Sequence, residues 1–87
     1  MEEGQIVIST KSVVYENTSI LNASHDEDGT WQFLGDDEEL SEEDAVVLGL
    51  DEIIQIDPTL IEITNLPKGA RAFRKNIGSQ WIITNDN

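Results

Sequence analysis

Cysteine is absent from this 87-residue chain. That excludes disulfides, thiolate metal sites and a cysteine nucleophile. Small secreted domains commonly depend on such staples, so their absence leads to the expectation of a cytoplasmic protein. Met1-Glu2-Glu3 carries the same expectation, being the opposite of a basic signal-peptide start. The longest apolar run, Ala45 to Leu48, is far too short to span a bilayer. Aromatics are few: two Trp, two Phe and one Tyr. A chain this short buries only about 60% of its unfolded surface, so its large apolar residues are needed in one core. Residues 1–87 therefore read as a single domain with a shallow functional surface and little room for a deep catalytic cavity. Positive charge is the scarcest property of all. Five Lys and Arg face 18 Asp and Glu, a formal charge of -13. No Lys or Arg occurs between Ser12 and Pro67, whereas Lys68, Arg71, Arg74 and Lys75 sit together. Such a field repels nucleic acid and anionic membranes and attracts cationic proteins.

What is present reads as short elements. Ile6 to Thr10 is β-branched and predicts a strand. Lys11-Ser12 breaks the run, and Val13-Val14-Tyr15 resumes it as a bulged continuation or a second short strand. Glu16-Asn17-Thr18 is a turn, and Ile20 to Ala23 a further strand. His25 to Gly29 is a polar loop whose Asp28-Gly29 pair signals a hairpin. Thr30 to Leu34 is a strand that puts Trp31 and Phe33 on one face, toward the core. Ser41-Glu42-Glu43-Asp44 has capping-box form, yet Ala45 to Leu48 is equally a buried strand, and periodicity leaves both open. Asp51-Glu52 predicts a helix start, and Asp57-Pro58 predicts an N-cap with proline at the first helical position. Pro67-Lys68-Gly69 and Asn76 to Ser79 are turns. Ala70 to Arg74 and Gln80 to Thr84 are strands, and 85–87 is a frayed polar tail. The sum is α+β: a mostly antiparallel sheet of five or six strands with one or two short helices.

Catalytic signatures are missing. There is no glycine-rich phosphate loop, no Gly-x-Ser-x-Gly elbow and no His-Glu-x-x-His pair. The one histidine, His25, reads as a surface loop residue, and without cysteine it makes no typical zinc site. Asp36-Asp37-Glu38-Glu39 reads as a solvated turn with the wrong spacing for an EF-hand. The expectation is accordingly no enzyme, no metal and no cofactor. Arg71 and Arg74, three apart on one strand, point to opposite faces and form no single basic patch; one of them is expected to pair with a carboxylate at the sheet edge.

Three blocks carry a family resemblance: Asp28-Gly29-Thr30-Trp31-Gln32-Phe33-Leu34-Gly35-Asp36, Asp57-Pro58-Thr59-Leu60, and Leu66 to Arg74. With them the chain resembles, over residues 6–81, the Imm33-like immunity-protein family, a group of small bacterial domains first known without a function. Trp31, Phe33, Gly35, Asp36, Asp57, Pro58, Pro67, Gly69 and Phe73 fit that pattern. Thr30 departs from it, as do Ala70, which replaces a serine, and Arg74, where glutamate is usual. The resemblance implies a strand over Ala45 to Leu48 and a role in neutralising a cognate bacterial toxin by direct binding.

Composition and resemblance lead to the same expectation, an acidic protein-binding module. Its partner is a cognate toxin or another basic protein, and not nucleic acid or membrane. The residues expected to meet it are Asp26, Glu27, Asp28, Asp36, Asp37, Glu38 and Glu39, extended by Glu42, Glu43 and Asp44. The alternative is a structural or regulatory domain that self-associates as a homodimer, pairing exposed edges at Ile6 to Thr10 or Gln80 to Thr84.

Overall fold

The computed structural model describes residues 5–35 and 42–85. Six strands form one mixed sheet: β1 (Ile6–Thr10), β2 (Asn22–His25), β3 (Trp31–Leu34), β4 (Ala45–Gly49), β5 (Ala70–Phe73) and β6 (Ile82–Asn85). Their order across the sheet is β4-β1-β3-β2-β5-β6. β1 runs parallel to β3, with Val7 opposite Trp31, and the other neighbours are antiparallel. The α+β class and the mainly antiparallel sheet expected from the sequence are both present, and Ala45–Gly49 is a strand. β1 is interior, flanked by β4 and β3, so the edge pairing expected of Ile6 to Thr10 has no free edge to use. Among the described residues, the open edges belong to β4 and β6.

All the helices cover one face of the sheet. They are α1 (Lys11–Glu16), α2 (Leu50–Ile56) and a 3-10 helix, η1 (Pro58–Ile63). Strand alternation sends Val7, Ala23, Trp31, Phe33, Ala70 and Ala72 toward them, where Val13, Ile53, Leu60, Ile63 and Leu66 complete the core. The ring of Trp31 lies parallel to that of Phe33, 5.7 Å between centroids.

The last strand runs Ile82–Asn85, not Gln80 to Thr84, and Asn85, paired with Ala70, belongs to the sheet and not to the polar tail. Three further local expectations need correction. Val13-Val14-Tyr15 is helical, although β-branched and aromatic residues favour strands. Both ends of α1 are capped: Val13 N–H donates to Thr10 Oγ1, and Asn17 adopts the left-handed conformation (φ 61°) while its N–H donates to Ser12 O. Burial of Val13 adds the tertiary contact that a six-residue helix needs. Asn17→Val is expected to cost about 1–2 kcal/mol in urea denaturation, because a β-branched residue resists the left-handed region, whereas Asn17→Gly should be near neutral. The second strand begins at Asn22, two residues later than expected, since the Ile20 carbonyl is taken by a guanidinium. His25 is not a loop residue. It ends β2 opposite Trp31 and Ala70, because the hairpin closes only at Asp26, whose N–H donates to Thr30 O at 2.8 Å.

A buried ion pair ties the far end of the sheet. Arg74, just past β5, is 4% exposed, and its Nη2 donates to Asp57 Oδ2 at 2.7 Å. Nε and Nη2 also donate to Ile20 O and Nη1 to Thr59 Oγ1, and the guanidinium carbon lies 4.1 Å from the Trp81 ring centroid. Asp57 meanwhile caps η1 through Oδ1, accepting from Thr59 N–H and Oγ1. The N-cap and the opposed directions of Arg71 and Arg74 were expected. One of the two was expected to pair with a carboxylate at the sheet edge; the pair formed by Arg74 lies instead in the interior.

Candidate functional site

Strand directions decide where the carboxylates go. Asp26, Glu27 and Asp28 form the hairpin between β2 and β3, at the end of the sheet where Ile6 begins β1. Glu42, Glu43 and Asp44 lead into β4, whose Ala45 pairs with Thr10 at the opposite end. The two groups are therefore separated by the length of a strand, roughly 15 Å. Glu27, Asp28, Glu42, Glu43 and Asp44 are exposed and Asp26 is half-buried. Asp36, Asp37, Glu38 and Glu39 lie outside the described residues. The expected interface is thus not one patch in its described part, but two acidic poles.

The hairpin pole is ordered by its own hydrogen bonds. Gly29, at φ 94°, takes the left-handed position that closes the turn. Asp28 Oδ1 accepts from Thr30 N–H at 3.0 Å. That bond, with help from the Thr30 hydroxyl and more weakly from the charge of Lys68, holds the Asp28 carboxyl below its ordinary value of 3.8. A depressed folded value means the turn gains from the ionised form above the unfolded pKa and loses that gain as pH falls through the folded one. A carboxyl-carbon NMR titration should give Asp28 a midpoint below 3.8, and Thr30→Pro should return it toward that value. Beside this turn, His25, Asp26, Glu27, Gly69, Ala70 and Arg71 line a small depression of about 130 Å³. The His25 ring stacks on Trp31 at 4.0 Å and 13°, and its Nδ1–H donates to Leu66 O at 2.7 Å. These contacts fix the ring as a wall of the core. Among the described residues, no group of three or more His, Asp or Glu could hold a metal ion.

The larger feature was not expected from the sequence. Val14, Tyr15, Val46, Val47, Leu48, Glu52, Gln55 and Ile56 line a cleft of about 560 Å³ where α1 and α2 meet the β4 edge. Tyr15 is 71% and Ile56 41% exposed. The signal available in the sequence is the apolar Val13-Val14-Tyr15 run, which by propensity predicts a strand. The elements around the cleft carry exposed Glu16, Asp44, Asp51 and Glu52. Lys11, at the start of α1, is the one basic residue on those elements.

The uncovered face of the sheet is different again. None of the six strands contains an Asp or Glu. Alternation and register place Ile6, Ile8, Val47, Leu34, Phe73, Ile82 and Arg71 on this face. Ile6, Val47, Phe73 and Ile82 are exposed there.

No family model, curated protein or solved structure matches this chain.

Proposed function

We propose that this domain is an acidic protein-binding module that holds a basic protein partner, and that it acts as an immunity protein, neutralising a cognate bacterial toxin by direct contact. The observation that carries this reading is the placement of charge. Exposed carboxylates occupy both ends of the sheet and the rim of the β4 cleft, while the chain from Ser12 to Pro67 has no Lys or Arg to offset them. Acidic poles at the two ends of the sheet, with a cleft along the β4 edge, suit a toxin whose own surface is basic because its substrate is anionic. Binding would cover that surface, with the poles accelerating encounter and apolar contacts setting the lifetime. Capture from a lysate of the encoding cells at about 50 mM salt, followed by assay of the captured polypeptide, tests this. A basic polypeptide whose toxic or enzymatic activity falls when the domain is added is the expected result. A captured polypeptide that keeps full activity would contradict neutralisation.

A second reading is self-association through the uncovered sheet face. Among the described residues, that face lets two copies of a -13 protein meet without apposing strand carboxylates, and Phe73 and Ile82 supply exposed apolar contact. Sedimentation equilibrium separates the two. A dimer abolished by Phe73→Glu supports this reading, and a monomer at about 100 µM removes it, since a stable interface of roughly 1,200 Å² or more should associate well below that concentration.

A further inference from the structure

We infer that the β4 edge is a strand-addition site: it takes an extended segment of the partner protein, with alternate apolar side chains and flanking Lys or Arg, as a seventh strand of the sheet. This deepens the protein-binding reading and rests on it. The backbone supplies the first argument. Lys11 N–H donates to Asp44 O and Leu50 N–H to Gln5 O, and β4 pairs with β1 in the same antiparallel register between them. In such a ladder hydrogen-bonded pairs alternate with non-bonded ones. Val46 and Leu48 therefore bond to β1, and the N–H and C=O groups of Ala45, Val47 and Gly49 turn outward. The Gly49 N–H is already used by Glu52 Oε1 at 2.7 Å. Among the described residues, what remains at the edge is a donor and an acceptor on each of Ala45 and Val47, the spacing that an added strand reads.

The side chains supply the second argument. On the helix side of that edge lies the cleft between Tyr15 and Ile56, floored by Val46 and Leu48. A strand beside β4 turns every second side chain into it, where Val14, Tyr15, Val46, Leu48 and Ile56 offer apolar contact and favour apolar side chains. The surrounding charge fixes the rest of the occupant. Glu52 lines the cleft, Glu16 and Asp51 stand on the helices that form it, and Asp44 directly precedes β4. Natural edges are commonly protected by lysine, proline or a bulge. β4 has none of these: its sequence is Ala-Val-Val-Leu-Gly, paired residue for residue with β1. An acidic partner segment or a second copy of this acidic chain would meet like charge there, whereas a cationic segment gains at both ends.

The test uses the whole domain and two synthetic peptides of about seven residues, one alternating Val with Lys and the other alternating Val with Glu, at about 50 mM salt. Amide hydrogen exchange read by NMR gives the location. In the free protein Ala45 and Val47 should exchange faster than Val46 and Leu48. Saturating Val-Lys peptide should protect Ala45 and Val47 and shift the Tyr15 and Ile56 resonances. Val47→Pro removes an outward N–H without removing a β1 hydrogen bond, and should weaken the Val-Lys peptide about tenfold. Ile56→Lys, which leaves the edge intact and places a cation in the cleft, should weaken it as well, so the result does not depend on one variant. Protection of other segments, or Val47→Pro and Ile56→Lys variants that fold and bind the peptide unchanged, would overturn strand addition. Equal binding of the Val-Glu peptide at this edge would overturn the charge reading while leaving the edge in use. Capture of a basic partner that leaves Ala45 and Val47 unprotected would overturn the site and leave the protein-binding function standing.

Discussion

Asp57→Ala is expected to cost about 3–5 kcal/mol of stability, because it strands a buried guanidinium without its counter-charge. For a domain of this size that is a large part of the total, which runs to roughly 5–15 kcal/mol. The loss has two sources. Arg74 is left with Ile20 O and Thr59 Oγ1 as acceptors but no anion, under the Trp81 ring. At the same time η1 loses its cap, since Asp57 Oδ1 accepts from both Thr59 donors. The paired variant separates these effects. Asp57→Ala combined with Arg74→Met removes both charges and should be less destabilised than Asp57→Ala alone, because no uncompensated charge remains buried. Urea denaturation of the four proteins in the cycle measures the difference. A double variant no more stable than Asp57→Ala would assign the cost to the lost cap.

Trp31→Ala should be comparably severe, at about 3–5 kcal/mol. Trp31 is 4% exposed and stacks between His25 on one side and Phe33 on the other. It also sits opposite Val7 on the only parallel pairing among the described strands, so its side chain joins the two halves of the sheet. Truncation opens a cavity at that junction which a sheet fixed on both flanks collapses poorly to fill. His25→Ala removes one stacking face and one hydrogen bond, and should cost about 1–2 kcal/mol. The ratio of the two losses in thermal unfolding tests whether Trp31 is core. A near-neutral Trp31→Ala would instead mean that its ring is a binding platform.

Local chemistry in the sequence was a sound guide wherever one element carried its own signal. Ile6–Thr10 is β-branched, Asp28-Gly29 marks a hairpin, and Asp57-Pro58 opens a helix; each is where it was expected. Failures came where a distant contact chose between local options. Val13 to Tyr15 favours a strand by propensity, and becomes a helix because Thr10 and Asn17 cap it and Val13 reaches the core. His25 reads as part of an acidic loop, and becomes sheet because Trp31 and Ala70 pair with it from both sides. The sequence leaves open which of Arg71 and Arg74 pairs with a carboxylate, and Arg74 is buried because Asp57, seventeen residues earlier, folds back against it. The charge of the candidate interface was legible, but its distribution was not. Asp28 and Asp44 are near in sequence, yet β3 lies between them and sends them to opposite ends of the sheet. The outward backbone of Ala45 and Val47 had no sequence signal at all, because it follows from the register between β4 and β1.

The association rate between this domain and the basic polypeptide it captures, followed from about 50 to 500 mM salt, tests the central claim most directly. Binding steered by the acidic poles predicts a rate that falls steeply as salt rises, with a shallower slope when Asp26, Glu27 and Asp28, or Glu42, Glu43 and Asp44, are replaced by their amides. A rate that does not change with salt, or a slope unaffected by both sets of replacements, would contradict a function built on the charge of this chain.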